Sequence, residues 1–184
     1  MGKRIKKKLP YKWALWITLW TFLLAIVIAL AAQFLTGFIG SLILSFLVLI
    51  TIIIIGVLAD IVGIAAAAAE EKPFHAKAAK KVPGAKEAIF FVRNADIVSN
   101  FSSDVIGDIS GIVSGSLGAL VVFQLVARYP DMNIFTWSII LTALIASLTV
   151  GGKALGKNLA IVRSTEIILL VSCIIKRLKR IVGR

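Results

Sequence analysis

The stretch SLILSFLVLITIIIIGVLADIVGIAAAAA, residues 41–69, decides the fold. A membrane-crossing helix needs about 20 consecutive, mostly apolar residues, and this stretch exceeds that. It is long enough to tilt or to extend beyond the bilayer. Its one charged residue, Asp60, stands out. A carboxylate in hydrocarbon is expensive and normally faces a bundle interior or a water-filled cavity.

Three further spans flank this one. Trp13 to Phe34 is apolar and is followed by Thr36, Gly37 and Gly40, a break made of turn-forming residues. Ile97 to Ala127 is more polar and rich in glycine, and Ile134 to Val150 is bounded by Pro130 and by Gly151-Gly152. Of the 184 residues, 59% are hydrophobic, above the roughly 45–50% of soluble domains. The length fits one integral membrane domain with no room for a second, soluble one. The basic start and Ala29-Leu30-Ala31 also fit a signal peptide. Its apolar run exceeds the usual ~7–15 residues, which favours an uncleaved first span.

The net charge of +12 has a topological origin. Six Lys or Arg precede Trp13, six lie between Glu70 and Asp96, and eight follow from Lys153 onward, leaving only Arg128 elsewhere. The positive-inside rule then predicts four spans with both termini inside. The basic residues face an anionic inner leaflet, and a nucleic-acid role is excluded on this reading. The expected location is a bacterial or archaeal plasma membrane.

The connector, residues 70–96, reads as helical. Ala76 to Lys81 is rich in helix formers, Pro83-Gly84 breaks the run, and Ala85 to Val92 restarts it. Beyond the fourth span, Ser164 is an N-cap candidate with Thr165 and Glu166 in the first turn. The run Ile167 to Ile175 is too short to cross. It then alternates with Lys176, Arg177, Lys179 and Arg180. This predicts an amphipathic juxtamembrane helix over 164–182. The fold class is therefore all-α integral membrane, with four transmembrane helices plus this C-terminal helix.

Asp104 and Asp108 are four apart and share a helix face that continues through Gly111, Gly115 and Gly118. Gly107, Gly111 and Gly115 form one small-residue row; Ser110, Ser114 and Gly118 form another, and such rows let helices approach closely in lipid. Asp60 and the two later aspartates sit at similar depth on antiparallel spans. Hard cations prefer oxygen ligands, and Mg²⁺ is often held by one or two carboxylates plus water. The candidate cation ligands are Asp60, Asp104 and Asp108, assisted by Ser103 and Asn100, with Gly107, Gly111 and Gly152 permitting backbone approach. The competing reading pairs the acids with Lys153 or Lys157, or gives them a shared proton. A proton-coupled carrier would use the same acids. The single Cys173 and the lone His75, read as an exposed loop residue, supply no soft-metal set. Trp13, Trp16, Trp20 and Trp137 suit a membrane interface. Nothing matches a nucleophile with its base, a phosphate loop or a dinucleotide fingerprint, so no enzyme is expected.

The order of elements from Ser41 to Ile175 resembles the transmembrane domain of the cyclin-M/CorC magnesium transporter family. Ala59-Asp60 before the alanine run is similar to the family's Ser-Glu pair at the end of its first span. Ile106-Gly107-Asp108 is similar to its Ile-Gly-Asn. Gly152-Lys153-Ala154-Leu155-Gly156-Lys157-Asn158-Leu159-Ala160 resembles its Gly-Glu-x-x-Pro-Lys motif, with the juxtamembrane helix following. Lys153 stands where the family has glutamate, Gly156 where it has proline, and Asp108 where it has asparagine; Asp104 is additional. The resemblance implies residues 1–40 as a basic N-terminus with an extra span, and 41–184 as a three-span CorC-like domain. It implies a homodimer. It also implies Mg²⁺ as the handled ion, with Na⁺ coupling left open. The family's cytoplasmic nucleotide-sensing domains have no counterpart up to Arg184. The alternative is a non-transporting scaffold or regulatory subunit whose acids are locked by Lys153, with a soluble regulatory partner.

Overall fold

The computed structural model describes residues 11–39 and 41–182. The basic residues Lys3 to Lys8, Gly40 and Arg184 lie outside the described residues. The expected break does not start at Thr36: the first helix, Tyr11–Ile39, continues through Thr36 and Gly37, since in lipid the intrahelical hydrogen bond outweighs their turn preference. Among those described, four helices are long and apolar enough to cross a membrane: Leu15–Phe34, Leu42–Ala68, Ala95–Arg128 and Ile134–Val162. The protein is an all-α integral membrane protein.

The order is α1 (Tyr11–Ile39), α2 (Leu42–Ala68), α3 (Lys72–Ala79), α4 (Ala85–Arg93), α5 (Ala95–Ser99), a π-helical segment (Asn100–Gly107), α6 (Asp108–Arg128), α7 (Ile134–Val162) and α8 (Ser164–Val182). The isoleucine run of α2 has strand-like composition. It is helical nonetheless, because a lone strand in lipid would leave its backbone groups unsatisfied. α2 is the hub, packed against α1, α6, α7, α8 and the π segment.

The fourth span differs from its expected end at Val150. α7 runs unbroken through Gly151-Gly152 to Val162 and stops at Arg163. Glycine weakens a helix in water, but in a membrane the intrahelical hydrogen bond has no rival. Gly152 and Gly156 instead admit neighbouring side chains. A Cβ on Gly152 would stand 2.9 Å from Val57 Cγ2, and one on Gly156 2.6 Å from Ile61 Cγ1. α7 and α2 therefore run parallel in tight contact.

Two apolar cores result. The first joins Ala32, Leu49, Ile53, Val105, Ile109, Val113, Leu117 and Ile145 across the four spans. The second joins Ala65, Ala66, Phe74, Ala88, Ala160 and Ile168 from the ends of α2 and α7 and from α3, α4 and α8. From Leu42 to Asp60, Arg128 back to Asp108, and Ile134 to Lys153, each helix rises about 27–30 Å at ~1.5 Å per residue. That is roughly the hydrocarbon thickness. Measured by that rise from Leu42 and Ile134, the second core takes Ala65, Ala66 and Ala160 from the last turns of the spans and forms a juxtamembrane layer.

The layer's connector folds much as expected. α3 ends in a Schellman motif: Val82 N–H donates to the Lys77 carbonyl at 3.0 Å and Lys81 N–H to that of Ala78 at 3.0 Å. Lys81 takes the left-handed conformation, φ 56°. Gly84 follows at φ 82°, where a Cβ would also lie 2.8 Å from Cys173 N. His75 belongs to α3 rather than to a loop, and its Nε2 lies 2.7 Å from Glu71 Oε1. α8 starts at Ser164 itself, with Arg163 as the flanking residue whose carbonyl accepts from Glu166 and Ile167.

Candidate polar site at the helix crossing

Span three is α5, the π segment and α6 in succession, and it is the most buried of the four. A π segment widens the turn, displaces the backbone ladder, and recurs at functional sites. Here it holds Asn100, Ser103, Asp104 and Gly107. Asp108 is the first residue after it.

Glycines set the crossing with α2. A Cβ on Gly56 would lie 2.7 Å from Ser110 Cβ and 3.4 Å from the Gly107 carbonyl oxygen. On Gly63 it would collide with Ser103 Oγ and lie 3.1 Å from the Ser99 carbonyl oxygen. On Gly107 it would meet the Gly56 carbonyl oxygen at 3.5 Å and Lys153 Nζ at 3.6 Å. Three helices thus meet at Gly107, and the ammonium of α7 lies over its backbone. Lys153 Nζ donates to Asp108 Oδ1 at 3.1 Å. The lysine side chain is 26% exposed and the aspartate 64%.

The expected ligands separate in space. Asp60 is half-buried, and it is its backbone carbonyl that accepts from Ser103 Oγ, at 3.3 Å. Asn100 lines a cleft of about 450 Å³ with Ile17, Trp20, Thr21 and Phe101, between α1 and span three. Asp104 is exposed. Neither Asp104 nor Lys157 makes an ion pair within 4 Å among the described residues. Among those residues, no three His, Cys, Asp or Glu side chains gather as a metal-holding group.

The small-residue rows also divide. Ser110, Ser114 and Gly118 are buried. Ser110 Oγ donates to the Ile106 carbonyl at 2.7 Å and Ser114 Oγ to that of Ser110 at 2.6 Å, so both serve packing. A Cβ on Gly118 would collide with Ile145 Cδ1. Gly111 and Gly115 have nothing within 4 Å of such a Cβ and face outward beside Asp108. Gly111 therefore permits no approach within one copy of the chain, unlike Gly107 and Gly152. Gln124 and Ser45 escaped the sequence reading: Ser45 Oγ donates to Gln124 Oε1 at 2.9 Å and ties α2 to α6. Their signal was a polar amide and a hydroxyl in otherwise apolar spans, where interhelical hydrogen bonds form.

Chemically, the crossing offers one carboxylate, nearby backbone carbonyls and an ammonium bonded to that carboxylate. No family model, curated protein or solved structure matches the chain.

Proposed function

We propose that this chain is a divalent-cation transport module of the membrane, handling Mg²⁺, in which the Lys153 ammonium takes the place of the ion at rest. The carrying observation is the 3.1 Å Asp108–Lys153 contact over the Gly107 crossing. An ammonium and a hydrated cation compete for the same carboxylate. A lysine on a flexible stem can swing away when an ion arrives. Asp108 is the primary ligand on this reading. Asp104 lies one turn along the same face, within a conformational change of joining it. Asp60, Ser103 and Asn100 are accessory candidates.

The resemblance to the cyclin-M/CorC family supports Mg²⁺ as the ion. It also supports a homodimer, for which the outward face of Gly111 and Gly115 is the proposed contact. The basic connector and tail support an orientation with both termini inside.

Flux of Mg²⁺ into proteoliposomes tests this reading. The parent should transport, Asp108→Asn should lose roughly tenfold or more, and Lys153→Glu should alter both affinity and rate. No flux above protein-free vesicles would sink it.

The same ion pair carries a second reading, a non-transporting scaffold in which Lys153 locks Asp108 permanently. Thermal stability in detergent separates the two. A folded-state Mg²⁺ site raises it by mass action, whereas a locked pair leaves it unchanged.

A further inference from the structure

α8 buries one face and leaves another apolar face bare. Ser164, Ile168 and Ser172 recur every four residues and are buried against the juxtamembrane core. Leu170, Ile174, Leu178 and Ile181 form a second stripe, and each is exposed, Ile181 at 72%. The second core begins at Ala65, beyond Asp60 and therefore beyond about 30 Å of hydrocarbon. α8 packs on that core, at the level of the lipid headgroups. An exposed Leu/Ile stripe at this level is the geometry of a helix seated in the acyl boundary.

Beside the stripe lies a notch of about 480 Å³ between the α3–α4 turn and α8. Its apolar wall is Val82, Pro83, Leu169, Leu170 and Ile174. Two cations from different elements also line it, Lys77 of α3 and Arg177 of α8. The Schellman motif fixes the Lys77 backbone beside the notch, where its carbonyl accepts from Val82 N–H. Neither cation makes an ion pair among the described residues. Glu166 is the opposing charge at the rim, and its carboxylate lies 3.9 Å from Arg163. The notch lining therefore carries two cations in no ion pair and one carboxylate, a net positive balance, over an apolar floor that runs into the bare stripe. A soluble anion would use only the charges. A phospholipid uses both halves.

We propose that this notch binds the headgroup phosphate of an anionic phospholipid, with an acyl chain lying along Leu170 and Ile174. Arg177 forks onto the phosphate oxygens, and Lys77 adds a point charge. The site is independent of the Asp108–Lys153 reading.

Native mass spectrometry of the full chain in mild detergent tests it, with phosphatidylglycerol and phosphatidylcholine titrated separately. Phosphatidylglycerol should be retained about 20- to 30-fold better, given two cations near the phosphate. The double variant Lys77→Gln/Arg177→Gln should lose that preference. Lys176→Gln/Arg180→Gln, with the same loss of charge outside the notch, should keep it. Equal retention of the two lipids in the parent would overturn the proposal. So would equal loss in both double variants, which would show a diffuse basic surface. Displacement of the lipid by glycerol phosphate at equal concentration would overturn it too, by making a soluble phosphate the ligand.

Discussion

The two cores are built to different rules because they sit in different solvents. The membrane core is made of branched residues, Leu49, Ile53, Val113 and Leu117, around close glycine crossings and serines bonded to their own helix. The juxtamembrane core is mostly alanine, closed over by Phe74 and Ile168. Between lipid-solvated helices there is no hydrophobic driving force, so contact distance and dispersion decide the packing. Beyond the hydrocarbon, burial itself drives assembly. The comparison teaches why helix crossings set the packing of one core, while the other needs a single large aromatic and keeps glycine for a turn, Gly84, pressed against the Cys173 backbone.

The largest expected effect is therefore Phe74→Ala. Phe74 is fully buried, and its loss should cost about 3–5 kcal/mol. The unfolding midpoint in detergent should fall, and Cys173 should become more reactive to thiol reagents. Leu117→Ala, at the centre of the membrane core, should cost less, because its surroundings exchange protein contacts for lipid contacts. An equal or larger cost at Leu117 would break the comparison.

Next come the glycines. Gly63→Leu drives a side chain into Ser103 and the Ser99 carbonyl, and should destabilise by about 1–3 kcal/mol or more. Gly111→Leu should leave the stability of a single copy within roughly 0.5 kcal/mol, since its Cβ meets open space. If a second copy docks there, Gly111→Leu should abolish cross-linking between copies while the melting point holds.

The smallest effect is acid sensitivity of the juxtamembrane layer. The hydrogen bond from His75 beside Glu71, and then that from Arg93 at 2.7 Å, hold the Glu71 carboxyl below its ordinary value. A lowered folded-state pKa gives stability present above the unfolded carboxylate value and lost as pH falls through the lowered one. Hydrogen exchange in α3 and α4 should quicken over that window. Glu71→Gln should flatten the response. The pair is exposed, so the change will be small.

Much of the fold was legible because span length is dictated by bilayer thickness. The four apolar runs, the Pro83-Gly84 break and the amphipathic α8 all appear where composition puts them. The continuity of α7 across Gly151-Gly152 was not legible, since glycine's soluble-protein meaning fails in lipid. Nor was the choice between the Gly111/Gly115 row and the Ser110/Ser114/Gly118 row. Periodicity places residues on a face but does not say which face meets a neighbour. The π segment has no sequence signature here. At the site, Asp108 was visible as a charge in an apolar run and Lys153 as the first cation of the basic tail, and their pairing was one of several readings. That Asp60, Asp104 and Asp108 do not gather as one metal-holding group depends on how separate helices pack, which no spacing rule along one helix contains.

The most direct test of the central claim is calorimetric titration of Mg²⁺ into the parent, Lys153→Gln and Lys153→Gln/Asp108→Asn. If the ammonium holds the place of a cation, Lys153→Gln should bind Mg²⁺ roughly tenfold tighter than the parent, and the second substitution should remove the gain. Equal affinity in parent and Lys153→Gln, or a gain that survives Asp108→Asn, would contradict it.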